Sequence, residues 1–168
     1  VFCSINHRLG AFGFSDFAKV GGEKYKHSGN VGVLDIIAAL KWVHDNIQNF
    51  GGDPGNVTII GQSGGGAKVC TVASMPAAKG LVHKGIALSG NSTSAGDQEY
   101  AEKLGGYILK EAGLQASEID RLQQMKWEDY LAVAERASEK LRTEMNEKGW
   151  RRGFGPVADG VHLPKERF

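Results

Sequence analysis

The 168-residue sequence carries 20 basic and 19 acidic residues, a net charge of +1, so its charge gives no reason to expect nucleic acid or an anionic membrane surface as partner. Hydrophobic residues make up 41% and charged residues 23%, the balance of an ordinary globular domain able to bury a sizeable core. No apolar run reaches the roughly 18 residues that a membrane-spanning helix needs.

The chain opens on Val1–Asn6, a short apolar run that reads as a strand. It has neither an initial Met nor the charged n-region of a signal peptide, and together with the abrupt end at Phe168 this reads as an internal piece of a longer protein. His7 to Gly32 is a turn-rich connection in which the polar stretch Asp16 to His27 reads as a surface excursion. Val33, Ile36, Ile37, Leu40, Val43 and Ile47 then recur at helical spacing, and Phe50 to Pro54 ends that helix with Gly51-Gly52 and a proline turn. Val57 to Ile60 is a β-branched run expected to be a buried strand, Gly64 to Ala73 a helix, and Lys84 to Leu88 a further strand. The order strand, helix, strand, helix, strand predicts an α/β fold with a mostly parallel central sheet.

Beyond Asp97 the glycines thin out and charges alternate with Leu, Ile and Ala. Glu99–Glu111, Ser117–Gln124 and Trp127–Asn146 are expected as amphipathic helices, with Ser117 as an N-cap, and Gly153 to Pro164 as extended, turn-rich chain. One partial domain is therefore expected, with residues 1–96 a sheet core, 97–150 a helical segment and 151–168 a return to the core. Cys3 and Cys70 sit among apolar residues without a CxxC partner or a histidine at metal spacing; buried free thiols are the expectation and a structural disulfide the alternative. Neither the cysteines nor any other feature fixes a cellular location.

The motif that carries chemistry is Gly61-Gln62-Ser63-Gly64-Gly65, a G-x-S-x-G. Such a sequence builds a nucleophile elbow only where a strand precedes it and a helix follows, placing the serine on a strained turn. Val57–Ile60 and Gly64–Ala73 supply both. The flanking glycines are expected to avoid collisions with strand and helix, and the Gly64 N–H, at a helix N-terminus, is the expected oxyanion donor. The alternative is a glycine-rich structural turn.

The run Asn30-Val31-Gly32-Val33-Leu34-Asp35, then Ala39-Leu40-Lys41-Trp42-Val43, Asn46-Ile47, Phe50-Gly51-Gly52-Asp53-Pro54, Val57-Thr58 and the Ser63 elbow, strongly resembles type-B carboxylesterases, the carboxylesterase and cholinesterase family of the α/β-hydrolase fold. Asn6-His7-Arg8-Leu9-Gly10, Lys79-Gly80-Leu81 with Ser89-Gly90, and Phe154-Gly155-Pro156-Val157 with Asp159-Gly160 extend the resemblance over nearly the whole chain. Gln62 and Gly64 stand where the family commonly has Glu and Ala, a variant that looks bacterial.

The resemblance implies a partial α/β-hydrolase fold and hydrolysis of small carboxylic esters through an acyl-enzyme on Ser63, with no metal or organic cofactor. It implies that Arg8 and Asp35 form a buried pair bracing the elbow loops. It places Ser89 either behind the catalytic acid or as a hydroxyl capping a strand end. It also implies that the acid, the catalytic histidine and the other oxyanion glycines lie outside these residues: His7, His27, His44, His83 and His162 match no catalytic position, and Asp159 reads as a turn residue before Gly160. The remainder of the parent chain would be needed to complete the triad. Trp42 and Phe50 are expected in the core. A non-catalytic binding or adhesion member of the same fold is the alternative function.

Overall fold

A computed structural model describes residues 1–145 and 153–168. In chain order it contains α1 (Gly10–Phe14), α2 (Ala18–Gly21), α3 (Val31–Asn46), β1 (Thr58–Gln62), α4 (Gly64–Ser74), β2 (Lys84–Leu88), α5 (Gln98–Glu111) and α6 (Trp127–Glu144), joined by 3-10 turns. The expected helix end at Asn146 and the expected boundary between residues 150 and 151 lie outside the described residues. No described helix is long and apolar enough to cross a membrane.

The chain divides into two compact units. The first comprises Val1–Arg8, Gly32–Ala95 and Ala158–Phe168. Its centre is a parallel pair in which Thr58 stands opposite Lys84, Ile60 opposite Ile86 and Gln62 opposite Leu88. Parallel strands need a crossover, and α4 supplies it. Because side chains alternate, one sheet face carries Ile59, Gly61, Gly85 and Ala87, and this face is pressed against α4: a Cβ on Gly85 would stand 3.1 Å from Val69. The opposite face carries Ile60, Ile86 and Leu88, which are 56%, 45% and 45% exposed. The expected buried strand is therefore not found: on the α4 face Ile59 and Gly61 are only half-buried, and the other residues of β1 are exposed. Val33, Ile36, Ile37 and Leu40 of α3, with Ile47 after it, Val69 and Val72 of α4, Met75 and Ala78 beyond it, and Leu163 are the buried apolar residues of this unit.

Three expectations fail here. Val1–Asn6 joins no sheet among the described residues, since β1 pairs only with β2. Trp42 and Phe50 are 51% and 62% exposed and stack on one another, ring centroids 5.9 Å apart, as a surface pair. Both thiols are free, but Cys3 is exposed and Cys70 half-buried.

The second unit comprises Leu9–Val31 and Gly96–Val157. Its core is Ala11, Phe17, Tyr100, Leu104, Ile108, Leu109, Ile119, Leu122, Tyr130, Val133, Ala134, Ala137 and Leu141. The 3.6-residue repeat of Leu104, Ile108 on α5 and of Tyr130, Val133, Ala134, Ala137, Leu141 on α6 buries one stripe of each helix. Asp97 caps α5, its carboxylate accepting from the Tyr100 N–H at 2.7 Å. Over 116–124 the chain is 3-10, and Gln115, not Ser117, is the N-cap, in a reciprocal box with Glu118.

The expected surface excursion at 16–27 holds for Lys19, Gly22–Lys24, Lys26 and His27, which are exposed, but not for its start: Asp16 and Phe17 are buried. Close approach explains this. Gly105 has no side chain, and a Cβ there would stand 1.9 Å from the Asp16 carbonyl oxygen. Asn30, 1% exposed, fastens the ends of this unit by donating to the Val157 carbonyl and accepting from its N–H, each at 2.9 Å. Asn30→Ala would leave both buried backbone groups without these partners, so we expect a loss of about 1–3 kcal/mol in urea unfolding.

Candidate active site

The elbow is built by β1 running directly into α4. Between them Ser63 takes φ 54° and ψ −119°, a conformation that costs energy for a residue with a Cβ. The surroundings hold it there. Its N–H donates to the Leu88 carbonyl at 2.8 Å and its carbonyl accepts from the Ala67 N–H at 3.0 Å. Ser63 occupies the N-cap position of the 11-residue α4, yet its side chain makes no capping hydrogen bond. Ser63 is thus exposed, its backbone hydrogen-bonded on both sides and its hydroxyl not used as a helix cap.

Glycines make the turn possible, though not all those expected. A Cβ on Gly61 would stand 2.4 Å from the Gly65 carbonyl carbon and oxygen, so the first glycine of the motif is sterically required. The second, Gly65, meets nothing within 4 Å; the collision expected there is absent. The tight positions are Gly66, whose Cβ would approach the Gly90 and Leu88 oxygens at 2.7 and 2.9 Å, and Gly90, whose Cβ would stand 1.8 Å from the Ser63 carbonyl oxygen. Spacing alone could not identify Gly66 and Gly90, because the contacts arise from β2 ending beside the elbow.

Gly64 is the first residue of α4 and is exposed, so its N–H is available at the positive end of the helix dipole. Gln62 is the last residue of β1, exposed, opposite Leu88. Ser89, immediately after β2, has φ 51°; among the described residues Ser63 and Ser89 are the only non-glycine positions with positive φ. The two strand ends that meet at the elbow are therefore both strained.

Arg8 and Asp35 do pair. The guanidinium spans both carboxylate oxygens, Nε to Oδ2 at 2.9 Å and Nη2 to Oδ1 at 2.6 Å, and the Arg8 N–H adds a bond at 2.9 Å. The expected burial is not found, since their side chains are 55% and 24% exposed. Hydrogen bonding to Arg8 holds the Asp35 carboxyl below its ordinary value of 3.8. With a depressed folded-state pKa, the pair stabilises above the ordinary carboxylate range, and the contribution is lost as pH falls through the folded value. We expect Arg8→Ala to cost a few tenths to about 1 kcal/mol at pH 7, with the difference vanishing in strong acid, as chemical unfolding at both pH values would show.

The histidines that share the unit with Ser63 are engaged elsewhere. His7 meets the Arg8 carbonyl, His44 meets Asp45, and His83 accepts from the Val57 N–H. His162 meets Asp159 at 2.6 Å. His27 belongs to the helical unit and is exposed. Asp159 behaves as the turn residue it was expected to be: its Oδ1 accepts from the N–H groups of Val161, His162 and Leu163. Burial works to raise its pKa, but the His162 bond and these three N–H donors outweigh it and hold the carboxyl at about 2. No group of His, Cys, Asp and Glu among the described residues could hold a metal ion.

A cleft of about 630 Å³ in the same unit is lined by Val1–Ile5, by Val57–Ile60 and by Gly65, Lys68, Val69 and Val72 of α4. Lys68 was not singled out by sequence reasoning, because a lysine on a helix ordinarily marks a solvated face.

The model of the carboxylesterase family matches residues 1–168. Para-nitrobenzyl esterase of Bacillus subtilis is 39% identical over 166 residues, covering 99% of this chain and 32% of that protein. Carboxylesterase 1E of Rattus norvegicus is 38% identical, covering 96% and 29%. Among solved structures, a thermophilic pNB esterase superposes with a TM-score of 0.82 at 41% identity, covering 96% of this chain and 32% of that one. A carboxylesterase of Geobacillus stearothermophilus gives 0.78 at 37%, covering 94% and 31%. The chain thus spans about a third of the length of the relatives it matches. Its architecture is a part of the α/β-hydrolase fold. With the strand–Ser63–helix turn and a family match from the first residue to the last, this chain belongs to the carboxylesterase family.

Proposed function

We propose that the polypeptide of which these residues form part is a serine carboxylic ester hydrolase, with Ser63 as its nucleophile. The observation that carries this reading is the backbone of Ser63: a positive φ maintained between β1 and α4, with the hydroxyl not consumed as a helix cap. Ser63 Oγ attacks the ester carbonyl carbon while a histidine base takes its proton. The Gly64 N–H stabilises the oxyanion. Collapse of the tetrahedral intermediate breaks the bond to the alcohol, which leaves with that proton, and water then attacks the acyl-enzyme by the same route. On the family resemblance, the base and its carboxylate partner come from parts of the polypeptide beyond these residues, which span about a third of the relatives' length.

In this reading Arg8 and Asp35 tie the segment leading out of Val1–Asn6 to α3. Ser89 and Gln62 frame the elbow from the two strand ends. Small-molecule esters are the substrates proposed, on the strength of the family. A fluorophosphonate probe tests the reading. The folded full-length protein should acquire a covalent adduct on Ser63, located by peptide mass spectrometry. A folded protein that remains unlabelled would instead be a non-catalytic binding member of the fold.

A further inference from the structure

The two positive-φ residues other than glycine among those described, Ser63 at 54° and Ser89 at 51°, face one another across the sheet. The parallel register pairs Gln62 with Leu88, so one step further it sets Ser63 opposite Ser89. Both strands therefore leave the extended conformation at the same rung. The bend in β1 builds the nucleophile. The bend after β2 needs its own cause, because a positive φ costs a serine energy and the motif around Ser63 does not demand one at residue 89. The contacts on either side of Ser89 supply that cause. The carbonyl before it, on Leu88, accepts the Ser63 N–H at 2.8 Å. The residue after it, Gly90, lies so close that a Cβ there would stand 1.8 Å from the Ser63 carbonyl oxygen. The Leu88 and Gly90 oxygens also press on Gly66 in the first turn of α4, at 2.9 and 2.7 Å from the position of a Cβ. Residues 88 and 90 thus grip the elbow, and Ser89 is the joint between them. An extended residue 89 would carry Gly90 on along the strand direction while the chain after Ser63 turns into α4.

We propose that Ser89 is a positioning residue for the nucleophile: its backbone bend matches that of Ser63 and holds Leu88 and Gly90 against the elbow. It touches no reacting atom and acts through those two neighbours. The requirement at residue 89 is then on φ, in place of the hydroxyl role that the family resemblance implies. The proposal rests on Ser63 being the nucleophile.

A requirement on φ and a requirement for the hydroxyl make opposite predictions for the full-length protein. Ser89→Gly and Ser89→Asn lose the hydroxyl but accept a positive φ, whereas Ser89→Thr keeps the hydroxyl on a branched Cβ that resists it. Asparagine also matches threonine in bulk, which controls for size. The variants are assayed on p-nitrophenyl acetate at a temperature where circular dichroism shows each of them folded. For Ser89→Gly and Ser89→Asn we expect kcat within about fivefold of wild type. For Ser89→Thr we expect kcat to fall about tenfold or more, toward the roughly 10²-fold that a 1 Å misplacement costs, with KM within about twofold. The rate of fluorophosphonate labelling, which reads the nucleophile without an ester substrate, should fall in parallel. The proposal is overturned if either hydroxyl-free variant loses more than about fivefold in kcat, if Ser89→Thr loses less than that, or if the loss in Ser89→Thr lies in KM with labelling unchanged. Should Ser89→Thr fail to fold, Ser89→Val carries the same readouts; failure of both branched variants to fold would mark a purely structural turn and also overturn it. An active Ser63→Ala would sink the nucleophile assignment itself. An inactive Ser63→Ala beside a fully active Ser89→Thr would sink only the role of Ser89.

Discussion

Ser63→Ala in the full-length protein should abolish ester turnover, with kcat falling on the order of 10⁴–10⁶-fold, because removing the nucleophile disables the whole catalytic unit. Folding should be untouched: the side chain makes no helix-capping hydrogen bond, and the bonds at this residue come from its backbone. Alanine at φ 54° is strained no more than serine. Hydrolysis of p-nitrophenyl acetate, with circular dichroism as the folding control, measures both. The 168 residues on their own should show no Ser63-dependent turnover, since none of their five histidines matches the family's catalytic position. Efficient hydrolysis by this stretch alone, lost in its Ser63→Ala variant, would mean that one of those histidines serves as base after all.

The second large effect is expected at a residue that does no chemistry. Gly90→Ala would drive a methyl group to 1.8 Å from the Ser63 carbonyl oxygen, well inside contact distance. That oxygen belongs to a main chain held on both sides by hydrogen bonds to Leu88 and Ala67, so it has little room to move. Relief requires β2 to shift away from β1 or the elbow to relax. We expect the substitution to cost more than the ~1–3 kcal/mol of ordinary overpacking and to reduce fluorophosphonate labelling with it. Gly65→Ala, which meets nothing within 4 Å, is the control and should fold with near-native stability. If Gly90→Ala proved as benign as Gly65→Ala, the tight approach of β2 to the elbow would be wrong.

The contrast between those two glycines shows where sequence reasoning stops. The elbow itself was legible, because strand, serine and helix are contiguous and the chemistry needs them in that order. The need for glycine was legible as well, but its location was not. Gly61 is constrained by Gly65, four positions along, whereas Gly66 is constrained by the Leu88 and Gly90 oxygens and Gly90 by Ser63, contacts made across a crossover. The same limit explains Trp42 and Phe50. Their size and aromatic character suggest a core, but burial depends on what the rest of the fold places over them, and they stack on one another in solvent. Arg8 and Asp35 were paired by resemblance and do pair, yet exposure is a property of the surrounding fold and was misjudged. Asp16 and Phe17 were assigned to the surface from local polarity; what buries them is Gly105, 89 positions away from Asp16, and the helical core around it.

That last arrangement bears on how the protein comes off the ribosome. The helical unit is written in two stretches, 9–31 and 96–157, with most of the elbow-bearing unit between them. Ala11 and Phe17 are synthesised early but join a buried core whose other members all lie in residues 100–141. At roughly 5–20 residues per second the wait is several seconds, during which these side chains lack most of the native surface that covers them. A nascent chain halted near residue 95 would hold the complete elbow, β2 and Gly90, yet expose an apolar segment with nowhere to go. The stretch between 9 and 31 is therefore where a chaperone would be expected to bind during synthesis, and where a translational pause would do the most harm.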